Sequence, residues 1–144
     1  MTTEKNKAII NRFLEELGKD LTAIDTFVAP DAFAYLPGIP EPTNREGFKH
    51  FVSLLYTALP DLRHTVEDQI AENDKVVNRV IVQGTHLGYF QGIAPTSREI
   101  TITDILITRI KEDKVVELWA QFDALGLLQQ LGVFPPIGSR QMVN

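Results

Sequence analysis

Hydrophobic residues recur at helical spacing in the first part of the chain. The spacing predicts helices over about residues 3–17, 20–29 and 44–59, the last with Asn44 as its N-cap. Gly18, Pro30 and Pro60 stand where these patterns stop. The stretch "AFAYLPGIPEPT" between the second and third helices predicts a short edge strand followed by a loop.

From residue 61 onwards, apolar and polar residues alternate instead. "LRHTVEDQIA" and "KVVNRVIVQGTH" predict one β-hairpin, and "EITITDILITRI" and "VVELWAQF" predict a second. The tail "DALGLLQQLG" predicts a short helix with Asp123 at its N-cap and Gly132 past its end. The order predicts one α+β domain over residues 1–144, with three N-terminal helices packed on a mostly antiparallel sheet and a short C-terminal helix.

Composition narrows the function classes. The 144 residues are 44% hydrophobic, which is enough for a core. A net charge of −5 without a basic cluster argues against nucleic acid as a partner. The chain has no cysteine and three scattered histidines, so no metal site is expected. The N-terminus carries charges where a signal peptide is apolar, and no apolar run is long enough for a membrane span, so a cytoplasmic protein is expected.

The parity of the second hairpin predicts which side chains share a face. A turn centred on Glu112–Asp113 would place Asp104 opposite Gln121 and Leu106 opposite Trp119. Such a mixed face suits a ligand pocket, or it is solvated while the other face packs on the helices. The other face would carry Thr103, Ile105, Ile107, Val116, Leu118, Ala120 and Phe122. If the mixed face lines the pocket, this apolar face predicts a homodimer.

In the first hairpin, a turn near Asn73 would pair Glu67 with Arg79 as a cross-strand ion pair. The same register places His64 and His86 on the opposite face, together with Val66, Val80 and Val82. His64 either faces a cavity or fills the core.

"GTHLGYFQGIAPT" at residues 84–96, with the strand, the charged turn and "VVELWAQFDALGLLQQLG" that follow, resembles the SnoaL-like polyketide cyclase family. The resemblance covers nearly the whole chain. It implies a cone-shaped fold with a curved sheet, as in ketosteroid isomerase, scytalone dehydratase and nuclear transport factor two. This fold carries both enzymes and binding modules, so it does not by itself imply an activity.

In that family's cyclases, the resemblance implies an acid/base aspartate on the last strand, assisted by a histidine, a glutamine and an asparagine. The corresponding positions here hold Ala120, Leu106, Asp104 and Ala34, so the cyclase mechanism does not carry over. Asp104 is the candidate base, because desolvation would raise its pKa. The alternative is a bond from Asp104 to Gln121 or to an arginine.

His86 likewise has two interpretations: it either orients the loop through hydrogen bonds to the backbone or points inward as an acid or base. The candidate ligand-binding residues are Trp119, Gln121, Leu106, His64, Tyr35 and Tyr56.

Two functions are consistent with these residues. The first is an enzyme without cofactor that moves a proton on a hydrophobic carbonyl compound, as an isomerase, cyclase or dehydratase. The second is a binding module for an apolar ligand or a protein partner. Two or more titratable groups converging in the cone would favour the enzyme, and a dry apolar cavity would favour the binding module.

Overall fold

The computed structural model describes residues 2–134, and the one-domain prediction over residues 1–144 extends beyond them. The helices are α1 (Thr3–Leu17), α2 (Ala23–Phe27), α3 (Arg45–Ala58) and α4 (Ala124–Gln130). The strands are β1 (Val28–Tyr35), β2 (Arg63–Glu72), β3 (Lys75–Thr85), β4 (Glu99–Lys111) and β5 (Lys114–Phe122).

The predicted order of elements is confirmed, apart from the boundary between the second helix and the first strand. The pattern at residues 20–29 overestimates α2, which ends at Phe27. Pro30 lies inside β1 rather than at a helix end. An edge strand tolerates proline because one side of its backbone needs no partner in the sheet.

The strands form one sheet in the order β1-β5-β4-β3-β2, in which only the β1–β5 pair is parallel. One face of the sheet, called the inner face here, packs on α1 and α3. Ile10 and Phe13 from α1 and Phe48 from α3 join Leu106 and Leu118 of the sheet in one buried cluster. The predicted α+β, cone-shaped fold is therefore confirmed.

Side-chain caps fix where two of these helices begin. The Thr2 hydroxyl accepts a hydrogen bond from the backbone N–H of Lys5 at 3.0 Å. The side chain of Asn44 accepts one from Gly47 at 2.9 Å, as the sequence predicts for an N-cap. These caps hold the ends of the two helices that cover the inner face.

The register predicted for the second hairpin is wrong. A β-bulge between Arg109 and Ile110 shifts the pairing by one residue, so Asp104 lies opposite Phe122 instead of Gln121. Leu106 lies opposite Ala120 instead of Trp119. A shift of one residue moves every side chain of a strand to the other face, and β5 is therefore inverted relative to the prediction.

The first hairpin also contains a bulge, between Val66 and Asp68. Arg79 therefore pairs with Asp68, at 2.7 Å, and the predicted pairing with Glu67 is wrong. The part of β2 before the bulge keeps the predicted register, since His64 lies opposite Val82. This places His64 on the inner face.

The segment at residues 84–98, which includes the last two residues of β3, leads from β3 to β4 and is fastened to the end of α3. The backbone N–H groups of Leu87 and Gly88 both donate to the carbonyl of Ala58, at 3.0 and 3.1 Å. A β-carbon on Gly88 would lie 2.0 Å from the carbonyl oxygen of Thr57, so only glycine permits this approach. The loop thus closes one end of the inner face.

Candidate ligand cavity

A cavity of about 70 Å³ lies between α1, α3 and the inner face of the sheet. Its walls are mostly apolar, with four phenylalanines among them: Phe13, Phe48, Phe51 and Phe122. Three polar side chains complete the lining: Tyr56, His64 and Asp104. A second cavity of about 50 Å³ adjoins it and shares Leu55, Leu62, His64, Asp104 and Phe122.

Asp104 projects from β4 into this apolar space. Its Oδ1 atom is buried and has no hydrogen-bond partner. Burial raises the pKa of Asp104 to about 6, because the charged form loses its hydration. Neither Gln121 nor an arginine bonds to this carboxylate within the described part of the chain.

Tyr56 and His64 enter the same space from other elements. The Tyr56 hydroxyl, on α3, is buried without a partner, and burial raises its pKa. Burial lowers the pKa of His64, on β2. Both shifts favour the uncharged form of the side chain.

His64 and Asp104 both line the cavity, and no hydrogen bond joins them. His64 lies opposite Val82 on β3, which in turn lies opposite Ile102 on β4, two residues before Asp104. Two strand spacings separate the backbones of β2 and β4 by about 10 Å.

Leu106 and Ala120 also line the cavity, as the resemblance implies for these two positions. They present only apolar surface, so the acid/base pair of the family's cyclases has no counterpart there. Ala34 is buried in β1 and does not line this cavity.

Three predicted ligand-binding residues do not line the cavity. Trp119 lies opposite Ile107, on the outer face of the sheet, and stacks on Tyr35 with ring centroids 5.5 Å apart. Gln121 lies opposite Ile105 on the same outer face and is exposed. These three side chains therefore do not line this cavity: the bulge turns Trp119 and Gln121 of β5 to the outer face, and Tyr35 of β1 lies beside Trp119 on that face.

His86 is only 1% exposed, and it fastens the loop at residues 84–98. Its Nδ1 accepts a hydrogen bond from the backbone N–H of Thr96 at 3.2 Å and lies 3.0 Å from the hydroxyl of Thr96. Its backbone bonds to Arg98 and Ser97. These bonds agree with the loop-orienting interpretation of His86; its Nε2 is buried without a partner, and His86 does not line the cavity that contains Asp104.

The aromatic character of the cavity is not predicted by the sequence pattern. Phe122 was assigned to the wrong face because of the bulge. Phe13, Phe48 and Phe51 recur at helical spacing, which predicts that they face inward. That spacing does not predict that they share a cavity with Asp104.

Among the described residues, no group of three or more histidine, aspartate or glutamate side chains is placed to hold a metal ion. No helix in residues 2–134 is both long and apolar enough to cross a membrane.

The fold and the cavity together define an α+β protein of the nuclear transport factor two kind. Residues 8–131 match the SnoaL-like polyketide cyclase family, and the chain belongs to that family. No curated protein matches the chain by sequence.

Several solved structures share the fold over most of the chain. AclR from Streptomyces galilaeus, described as a proposed hydroxylase, is 27% identical with a TM-score of 0.86, over 94% of this chain and 86% of its own. IdmH from Streptomyces antibioticus, described as a proposed polyketide cyclase, is 31% identical with a TM-score of 0.81, over 89% of this chain and 99% of its own. A proposed polyketide cyclase from Acidithiobacillus ferrooxidans is 26% identical with a TM-score of 0.77, over 92% of this chain and 98% of its own.

Proposed function

We propose that this protein is a cyclase-type enzyme that binds a small hydrophobic carbonyl compound and moves a proton on it, with Asp104 as the base. The observation that carries the proposal is the unpartnered carboxylate of Asp104 in an apolar cavity. Two further titratable side chains, Tyr56 and His64, line the same cavity. Perturbed titratable groups that converge in a pocket are typical of acid/base sites.

The three side chains divide the work as follows. Asp104, with a pKa of about 6, is mostly ionised at pH 7 and takes a proton from the carbon next to the carbonyl group. The C–H bond breaks, the O–H bond of the carboxylic acid forms, and the electron pair moves onto the carbonyl oxygen. The neutral Tyr56 hydroxyl donates a hydrogen bond to that oxygen as its negative charge develops. In an isomerisation the enolate is conjugated, the proton returns from Asp104 to the far carbon of the conjugated system, and the C=O bond re-forms. In a cyclisation the enolate carbon bonds to a second carbonyl carbon, and the oxygen of that carbonyl group takes the proton back from Asp104.

His64 lines the same cavity as Asp104 but belongs to β2, which β3 separates from β4. Because burial lowers its pKa, the imidazole is neutral at pH 7 and has one N–H donor and one acceptor nitrogen. It holds a second oxygen of the ligand. This arrangement replaces the aspartate and histidine of the family's cyclases, whose positions are Ala120 and Leu106 here.

A binding module is the second candidate. The apolar residues Leu106 and Ala120 at the cyclase positions favour it, because they line the cavity without contributing any acid or base.

Deuterium exchange tests the choice between the two functions. The protein is incubated with 1-tetralone, a small ketone, in D2O, and NMR follows deuterium uptake next to the carbonyl. We expect exchange above the buffer rate, and Asp104→Asn should slow it by about 100-fold or more. Asp123→Asn, which changes another carboxylate outside the cavity, is the matched control and should exchange normally. Binding of 1-tetralone without exchange by the unmodified protein would favour the binding module.

The proposed quaternary structure is a homodimer through the outer face of the sheet. Phe33, Ile70 and Ile105 are exposed there, at 54%, 66% and 37%. Leu118 and Phe122, predicted for this face, point inward instead. The outer face also carries both signs of charge, in Arg79–Asp68 and Arg109–Glu117, which suits contact with a second copy about a two-fold axis.

Sedimentation of the protein at micromolar concentration tests the dimer. We expect a dimer that Ile105→Glu converts to a monomer. A monomeric unmodified protein would contradict this assembly.

A further inference from the structure

The cavity contains a carboxylate but no matching cation. Among the described residues that line the two adjoining cavities there is no lysine and no arginine. The neutral forms of Tyr56 and His64 are favoured by burial. Asp104 is therefore the group that carries charge in this space at neutral pH, and its charge is negative.

Aromatic rings line the cavities that contain this carboxylate. Phe13 and Phe48 line the larger cavity, and Phe122 lines both cavities and lies directly opposite Asp104 on β5. The face of an aromatic ring carries partial negative charge and attracts a cation within about 6 Å of its centre. The carboxylate and the rings therefore favour the same sign of charge in a ligand.

We propose that this cavity binds lipophilic primary ammonium ions, with the ammonium group on Asp104 and the apolar body among the phenylalanines. An ammonium group has three N–H donors, and the buried Oδ1 of Asp104 accepts no hydrogen bond from the protein. Charge-assisted bonds of this kind are roughly twice as strong as neutral ones. The proposal does not depend on the proton-transfer function, because it concerns the charge of the site before any reaction.

The size of the cavity limits the body of the amine. The larger cavity encloses about 70 Å³ and the adjoining one about 50 Å³. Their walls are mostly apolar, so the body of the ligand must be apolar as well. A single ring with a short chain that ends in the amine is therefore the body chosen to test the site.

Ammonium binding must depend on pH, because it requires the ionised carboxylate. The titratable side chains that face Asp104 are Tyr56 from α3 and His64 from β2, whereas α1 and β5 contribute only apolar side chains to the cavity. As the pH falls through about 6, Asp104 is protonated and the attraction is lost. Protonation of His64, whose pKa is below its usual value, opposes the cation further at low pH.

Three probes with the same body and different charge test the proposal: 2-phenylethylamine, 2-phenylethanol and phenylacetate. Calorimetric titration at pH 7.5 should show the amine binding at least about tenfold more tightly than the alcohol, and phenylacetate binding most weakly. Asp104→Asn should abolish the advantage of the amine over the alcohol. Asp123→Asn removes an equal charge outside the cavity and should leave that advantage unchanged.

A second measurement uses only the unmodified protein. Between pH 7.5 and pH 5, the advantage of the amine should shrink at least about fivefold, while the affinity for the alcohol stays nearly constant. Equal affinities for the amine and the alcohol at pH 7.5, binding of none of the probes, or a preference that survives Asp104→Asn would overturn the proposal. Exchange of 1-tetralone measures the proton-transfer function separately, so either proposal can fail while the other holds.

Discussion

The loop at residues 84–98 and the cavity both place a histidine on the inner face of the sheet, and they differ in what each histidine bonds to. In the loop, the Nδ1 atom of His86 lies within hydrogen-bond distance of both the backbone and the hydroxyl of Thr96. In the cavity, His64 forms no hydrogen bond to the described chain, and the buried oxygens of Tyr56 and Asp104 have no partner. The loop therefore uses one nitrogen of its histidine to hold its own structure, although the buried Nε2 of His86 has no partner, whereas the polar side chains of the cavity form no hydrogen bond within the described protein.

This difference has an energetic consequence. A buried polar group that bonds within the protein is destabilising to remove, whereas a buried group without a partner already costs free energy in the folded state. Substitutions in the loop should therefore destabilise the protein. Substitutions of the polar groups in the cavity should leave stability unchanged or raise it.

The largest effect is expected where the loop meets α3. In Gly88→Ala the new β-carbon would lie 2.0 Å from the Thr57 carbonyl oxygen, which is backbone and cannot move aside cheaply. We expect a loss of about 3 kcal/mol in the free energy of unfolding, measured with urea.

Gly92→Ala provides the control in the same loop. Gly92 has a φ of +82° with nothing within 4 Å of a new β-carbon, so only backbone strain of about 1 kcal/mol is expected. Equal losses in the two variants would show that the contact with α3 does not hold the loop.

In the cavity, Asp104→Asn should stabilise the protein by about 2 kcal/mol at pH 8. The folded-state pKa of Asp104 is about 6, against an ordinary value of 3.8, so the unfolded chain binds fewer protons between these values. The unmodified protein therefore loses stability as the pH rises from about 4 to about 6. For this difference in pKa, the total loss in the free energy of unfolding is up to about 3 kcal/mol. Asparagine cannot ionise and avoids that loss.

Urea unfolding from pH 4 to pH 8 measures this effect. The two proteins should have similar stability near pH 4 and diverge as the pH rises. A variant that is less stable than the unmodified protein at pH 8 would indicate that the carboxylate has a partner in the folded protein.

The two histidines give a direct test of the comparison. His86→Leu removes the hydrogen bond from Thr96 to Nδ1 and should cost about 1.5 kcal/mol. His64→Leu removes no hydrogen bond within the protein and places an apolar side chain in an apolar cavity, so its cost should be below about 0.5 kcal/mol. Thermal unfolding of both variants measures the difference, and similar costs would remove the distinction between the two regions.

Local signals in the sequence were sufficient for most of the fold. Asn44 and Asp123 are N-caps in the structure, as predicted, because capping depends on a few neighbouring residues. The alternation in β3 and the first part of β2 correctly placed His64 and Val82 on one face. Both inferences use short-range rules that the tertiary structure does not override.

The faces of β5 could not be predicted, because they depend on the bulge between Arg109 and Ile110. In β5 the bulge leaves Val116 without a partner on β4. Its neighbours Val115 and Glu117 pair with Ile110 and Arg109. Val115 and Val116 are both apolar, so no change in the hydrophobic pattern marks the shift. One extra residue was enough to exchange Trp119 and Gln121 for Ala120 and Phe122 in the cavity. The convergence of Tyr56, His64 and Asp104 is likewise a property of the assembled cone, since they lie on three elements.

The smallest effect is expected at a carboxylate that has a partner. Asp123 is exposed, and its Oδ1 accepts a hydrogen bond from the backbone N–H of Gly126 at 2.9 Å at the start of α4. Asp123→Ala should cost about 1 kcal/mol in thermal unfolding, whereas Asp123→Asn keeps an accepting oxygen and should cost a few tenths at most. Neither change should alter the exchange of 1-tetralone or the preference for the amine, because Asp123 does not line the cavity. If Asp123→Ala instead abolished exchange without lowering the melting temperature, while Asp104→Asn lowered it clearly, the roles assigned to the two carboxylates would have to be reversed.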